Sequence, residues 1–200
     1  MTTTGYSDRV NHALAFAAKH HDQQVRKGTR LPYLTGPANV GIILTRYGCA
    51  ESVVVAGILR DVVEDCVGQR YTREMLEQRI GDKFGSDVLD TLLSVTQRIV
   101  DDDGVELSQA ERRDDCLDRL PRSSDDARWV YAASNLHGVG SLLADLDRTI
   151  DADTVWSRFA GGRDGAVRWY QSVVERLARV GFEAPIMDEL RAATEALSAR

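Results

Sequence analysis

Apolar positions recur along this chain at intervals of three and four, and nowhere does an apolar/polar alternation persist at a period of two. The pattern predicts helices almost throughout. Ser7 is placed to cap a first helix running to about His21, with Val10, Leu14 and Ala17 or Ala18 on its inner stripe. The segment Arg26 to Pro37, RKGTRLPYLTGP, reads as a loop, and Pro37 suits the first turn of the next helix. That helix carries Val40, Ile43, Leu44 and Tyr47, and Gly48 stops it. Residues 51 to 67 form a strongly apolar helix. Thr72 caps a short helix, and a longer one is expected from about Asp82 through Phe84, Val88, Leu92 and Val95. DDDG at 101–104 is a solvated turn, and a polar helix follows to about Leu120. The Pro121 loop leads into a helix over about 125–147. Another begins near Asp153, is broken at Gly161-Gly162, and gives way to one marked by Ala166, Trp169, Tyr170, Val173 and Leu177. Residues 186–199 form a last surface helix. The expected fold class is all-α, with helix–helix packing the only route to a core.

Composition narrows the functional classes. The 200 residues are 43% hydrophobic and 28% charged, enough to bury a core. The longest unbroken apolar run, Val53 to Leu59, is far short of the ~20 residues a membrane-spanning helix needs. The opening MTTTGYSDR offers no apolar core for a leader. A net charge of −6 disfavours bulk nucleic acid as a partner. Cys49, Cys66 and Cys116 are scattered and odd in number, which argues against a disulfide framework and for a reducing, cytoplasmic setting. No shift in composition demands a second domain.

The helix around ILRDVVEDC carries the candidate chemistry. Arg60, Asp61, Glu64 and Asp65 fall within an arc of roughly 140°, and Leu59, Val62, Val63 and Cys66 fill the opposite side. Two readings stay open from spacing alone: a polar stripe lining a cavity, or a solvated face with an Arg–acid pair between neighbouring turns.

Six segments, HDQQVRKG, PYLTGP, GILRDVVED, FG at 84–85, VT at 95–96 and AASNLHG, occur in this order over residues 21–138. Together they resemble the HD-domain hydrolases of the RelA/SpoT type, including the small stand-alone alarmone hydrolases. LADL at 143–146 and WSRFAGGRDGAVRWY at 156–170 extend the likeness, which covers about 150 residues. The resemblance implies a single HD-type helical bundle, expected over 1–183, with 184–200 a surface helix packed on or beside it. It also implies one divalent ion, usually manganese, held by a first-helix His, the His-Asp pair and a later Asp. His21 matches the first of these, since Gln24 and Arg26 follow at the family spacing, and Asp61 matches the second half of the pair. His20 is turned about 100° away.

Two of the four ligands do not match. The pair reads Arg60-Asp61, and the later Asp of the family's DKLHN is Ser134. Arg60 has no lone pair to give and carries a permanent positive charge. The loss of two ligands and the gain of a cation should abolish tight metal binding, so no resident cofactor is expected, with Mn2+ the ion if the site functions. The guanidinium is expected to sit where the ion would be, paired with Asp61 and the acids one turn on. Other positions are mixed. Glu64 and Asp65 match the acids implied to position the attacking water, and are the candidate catalytic residues. Arg26, Lys27 and Tyr33 match the nucleotide-contacting positions, and Arg60 and Asn135 complete the candidate substrate set. Gly36 stands where the family has a His before Pro, and Asn135 and Gly138 replace the Lys and Asn of DKLHN. His137 reads as a hydrogen-bonding residue at the core edge, and Trp169 and Tyr170 as core anchors.

The resulting expectation is a catalytically impaired domain that keeps a nucleotide-, phosphate-binding or regulatory role. The alternatives are an active hydrolase of guanosine 3′-pyrophosphate nucleotides with an altered ligand set, metal-free chemistry on Glu64 or Asp65, and a plain interaction module. The expected ligand is a phosphorylated nucleotide or small phosphate ester. A protein partner is a further class, and no membrane partner is expected.

Overall fold

The computed structural model describes residues 6–68 and 70–200. The first five residues of the stretch read above as leader-free lie outside them. Among the described residues ten α-helices follow one another: α1 Asp8–His20, α2 Thr35–Arg46, α3 Glu51–Asp65, α4 Arg73–Phe84, α5 Ser86–Val95, α6 Gln109–Arg119, α7 Asp125–Arg148, α8 Asp153–Trp156, α9 Gly162–Arg179 and α10 Ile186–Ser198. Among the described residues there is no strand, only two isolated bridges within loops. None of the described helices is long and apolar enough to cross a membrane.

The caps explain where the helices begin. The hydroxyls of Ser7, Thr72 and Ser124 each accept a hydrogen bond from the third residue beyond, and Ser108 forms a reciprocal capping box with Glu111. The first helix buries Val10, Ala13, Phe16 and Ala17, while Leu14 is only half-buried. The expected stripe is thus turned toward Phe16, whose ring meets Phe84 edge-on at 5.6 Å. The long helix expected from Asp82 to Val95 is instead two helices. Gly85 takes φ +94°, ends α4 after Phe84 and opens α5 at Ser86. The helix read near Asp153 is one turn long.

Helix α3 is the axis of the molecule. Its apolar run is buried on all sides, from Val53 to Leu59 and again at Val62 and Val63, because α1, α2, α4, α5 and α7 surround it. A Cβ on Gly57 would come within 2.5 Å of a Leu44 methyl, so a side chain there would require the buried Leu44 to move. Helix α7 lies alongside, touching α2, α3, α5, α9 and α10. Full burial of each large aliphatic side chain contributes about 1.5–3 kcal/mol, so this double axis is the rigid part of the fold. Helix α10 seats Ile186, Met187, Leu190 and Leu197 against α7 and α9. The last turn of α3 and the middle of α7 form the walls of the site.

Candidate functional site

The polar stripe of α3 faces inward. Arg60, Asp61 and Glu64 have side chains only 17%, 17% and 13% exposed, which excludes the solvated-face reading for these three. Arg60 donates from Nε and Nη2 to Oδ1 of Asp61, at 3.0 and 2.8 Å, and its Nη2 lies 3.6 Å from Oε2 of Glu64. Burial works against the guanidinium charge, but Glu64 and Asp61 outweigh it and hold Arg60 above its usual range. Glu64 accepts a hydrogen bond from the backbone N–H of Gln97 at 2.9 Å. Burial pushes its carboxyl upward from the ordinary 4.5, with Arg60 opposing.

His21 sits at the end of α1 and is 4% exposed. Its Nδ1 is 2.7 Å from Oε1 of Gln24, its ring stacks on Tyr33 at 4.6 Å, and its buried Nε2 has no partner. His20 turns away, as its 100° offset predicts, bonding the Phe16 carbonyl and packing on Phe16 and Tyr71. Tyr33 donates its hydroxyl to Oδ2 of Asp65, and Gln24 donates to the Asp65 carbonyl. Asp65 therefore tethers the loop between α1 and α2 to the end of α3. Burial raises its carboxyl above the usual value, against the Tyr33 hydrogen bond.

A cavity of about 350 Å³ opens beside these groups. Arg26, Lys27 and Tyr33 reach it from the loop after α1, and Asp61 from α3. His137 and Asp145 reach it from α7, and Arg113 and Arg158 complete it. The loop folds back through backbone bonds between Arg26 and Leu31 and between Tyr33 and Gln24, which aims its two cations inward. Arg26 donates to the Ser141 hydroxyl, and Arg158 bonds both Asp145 at 2.7 Å and the Gly28 carbonyl. Four basic side chains against two carboxylates make this an anion-seeking wall.

Of the nine candidate site residues, Arg26, Lys27, Tyr33 and Asp61 share this cavity. Arg60 and Asn135 line a smaller chamber of about 130 Å³ on the other side of the Arg60–Asp61 pair. Neither Glu64, Asp65 nor His21 lines either space. His137 departs from the sequence reading. Its Nε2 is buried and unpartnered, so it is not a hydrogen-bonding residue through that atom. Burial, with Arg26 nearby, pushes it down to about 4, leaving a neutral ring at neutral pH. Tyr170 is a core anchor, and Trp169 packs against the core while also lining the chamber under the Arg113 guanidinium, 5.0 Å from its ring. Arg113 and Tyr131 carry no local motif, because helix packing brings them to the site; Arg158 lies within the WSRFAGGRDGAVRWY segment, but spacing alone does not place it at the cavity.

The donors implied for a divalent ion are not gathered. Among the described residues the one cluster of three ligating groups within 4.8 Å of each other is Asp61, Glu64 and Asp65, without His21. Asp61 carries the Arg60 guanidinium, and Ser134 Oγ is buried with no partner.

A family model described as HD domain matches residues 13–166. Curated relatives include the mouse guanosine-3′,5′-bis(diphosphate) 3′-pyrophosphohydrolase MESH1, 33% identical over 148 residues, which are 72% of this chain and 72% of that protein. The frog Xenopus tropicalis counterpart is 32% identical over 133 residues, covering 65% and 67%. A Myxococcus xanthus GTP pyrophosphokinase is 31% identical over 106 residues, 53% of this chain, and the match spans only 13% of that protein's length. Among solved structures, a metazoan ortholog of SpoT described as hydrolysing ppGpp superposes with a TM-score of 0.73 at 26% identity, covering 97% of this chain and 98% of that one. A Listeria monocytogenes protein gives 0.66 at 27% identity, covering 82% and 99%. A divalent ion is the cofactor this family implies. This chain belongs to the HD-domain family and, within it, stands with the RelA/SpoT-type ppGpp hydrolase homologues.

Proposed function

We propose that this protein binds a guanosine-type nucleotide polyphosphate in the 350 Å³ cavity and does not hydrolyse it by the family's metal route. The observation that carries the proposal is the seat of Arg60. Its guanidinium is buried on Asp61 and within 3.6 Å of Glu64, so the positive charge beside the site's acids is already supplied by the chain. The residues present do not reproduce the family's ligand set. Asp61 is engaged by Arg60, Ser134 is a poor ligand, and the fixed guanidinium opposes a second cation beside the Asp61, Glu64 and Asp65 carboxylates. Arg26, Lys27 and Arg113 remain to meet phosphate groups, with Arg158 held on Asp145 at the rim, and the Tyr33 ring beside them offers a stacking face. Such a protein holds the nucleotide as a sensor or sink.

The test is calorimetric titration with guanosine 3′,5′-bis(diphosphate) in chelator, with pyrophosphate release followed in added Mn2+. Binding without release is expected. Arg60→His combined with Ser134→Asp restores the family's ligand set and should confer Mn2+-dependent release. Pyrophosphate release by the parent protein refutes the proposal. It would favour a second reading, an active hydrolase with altered ligands, which rests on the unpartnered Nε2 atoms of His21 and His137.

A further inference from the structure

The chamber on the far side of Arg60 holds three groups that the nucleotide cavity leaves unused, Arg60, Tyr131 and Ser134. It is lined by Arg60, Gln97, Arg113, Tyr131, Ser134 and Asn135, among others. Tyr131 is 3% exposed, and its hydroxyl, beside the Asn135 side chain, makes no full hydrogen bond among the described residues. The Ser134 hydroxyl is buried and unpartnered as well. An unsatisfied buried hydroxyl costs about 1–3 kcal/mol, so two facing one chamber point to an occupant. Arg113 comes within 4.0 Å of no carboxylate among the described residues; its plane is covered instead by Trp169. Arg60 spends Nε and Nη2 on Asp61 and Glu64, and its Nη1 makes no bond among the described residues. Asn135 turns its amide back to the Tyr131 carbonyl at 2.9 Å.

These groups are mostly donors. A metal ion would need lone pairs, and an apolar guest would leave the hydroxyls stranded. A volume of about 130 Å³ exceeds by several-fold what one ordered water requires. We propose that this chamber is a phosphate-sized oxyanion site, in which the guanidinium groups of Arg60 and Arg113 and the hydroxyls of Tyr131 and Ser134 hold the oxygens. A tetrahedral oxyanion matches two arginines, from α3 and α6, and two hydroxyls, both from α7. Arg113 lines both spaces, so the anion is either free inorganic phosphate or the terminal phosphate of a nucleotide lying in the larger cavity. The second source rests on the function proposed above; the site itself does not.

The experiment is titration of the full chain with inorganic phosphate at constant ionic strength, in the parent and in Tyr131→Phe combined with Ser134→Ala. Saturable phosphate binding is expected, weakened about tenfold or more in the variant, since each lost hydrogen bond is worth roughly fivefold. Thermal unfolding separates misfolding from lost contacts. The variant removes only unpartnered hydroxyls and should melt at or above the parent's temperature. Arg113→Gln should weaken phosphate binding in the same direction. Absence of phosphate binding, or equal binding by parent and folded variant, overturns the proposal, and the hydroxyls then merely hold water. A competition arm identifies the source. Phosphate displaced by guanosine 3′,5′-bis(diphosphate) upholds a nucleotide-terminal site, whereas simultaneous binding upholds a free-phosphate site. Phosphate binding without nucleotide binding sinks the proposed function alone. Nucleotide binding without phosphate binding sinks the chamber alone.

Discussion

Replacing Arg60 by Met tests whether the guanidinium stabilises the inward-facing acids or merely rests beside them. Methionine keeps the length of the side chain and removes its charge. Asp61 and Glu64, with side chains 17% and 13% exposed, would then share a largely dry space without a cation. Breaking a fully buried pair from one side costs about 3–5 kcal/mol. Residual exposure and the Gln97 N–H that still bonds Glu64 reduce this to roughly 2–3 kcal/mol, or a fall of roughly 4–12 °C in unfolding temperature for a domain of this size. The loss depends on pH. Glu64 is already raised by burial, and Arg60 is the largest influence holding it down. Removing that influence raises the folded-state value further above the ordinary 4.5. A group raised in the folded state stabilises the fold below its unfolded value and loses that contribution as pH rises through the folded one. The R60M deficit should therefore be largest near pH 8 and shrink as pH falls toward 4.5. Thermal unfolding by circular dichroism across that range is the assay. The triple variant R60M/D61N/E64Q, which removes all three charges, should recover most of the loss. Equal melting of parent and R60M with parallel pH profiles would refute the reasoning.

Other expected outcomes are narrower. Gly28 has φ +75°, and a Cβ there would come within 2.4 Å of Arg158 Nε. Gly28→Ala should therefore cost about 1–2 kcal/mol in chemical denaturation and release the Arg158 contact at the cavity rim. His137, pushed down to about 4, should show ring proton resonances that stay constant through the neutral range; a midpoint near the ordinary histidine value of about 6.5 would contradict its burial. Ser108→Ala removes a capping box and should lower stability by about 1 kcal/mol without altering ligand binding, since Ser108 lines neither cavity.

The parts of the fold legible in sequence were those governed by local chemistry. Ser7 and Thr72 announced helix starts because a short hydroxyl can satisfy a first-turn N–H whatever surrounds it. The all-α class followed from periodicity alone. The structure departs from the periodic pattern where tertiary contacts decide. Phe84 fits a periodic pattern through to Val95, and only the backbone at Gly85 shows that its ring packs under α1 while α5 leaves at a new angle. Phe16 outranks Leu14 on α1 for the same reason: α4 supplies an aromatic partner that no property of α1 predicts.

The site divides along the same line. Arg60, Asp61 and Glu64 lie within one turn and a half of a helix, so their pairing could be read from spacing once that helix was known to be buried on its other side. Arg113 belongs to a polar helix with nothing local to distinguish it from Arg112. It differs because Arg112 bonds the Leu107 carbonyl and Glu106 beside it in the chain, whereas Arg113 lies over Trp169 of α9, between two cavities. That contrast bears on what the substitutions at 60 and 134 did. A mere loss of ligands would leave a polar void next to Asp61. Here one position gained a cation that binds the acids, and the other became a hydroxyl facing a chamber with a second, unpaired arginine. Under the function proposed above, the charge that a divalent ion would bring to this scaffold is carried by side chains that cannot leave, an arrangement suited to holding a phosphorylated ligand rather than turning it over.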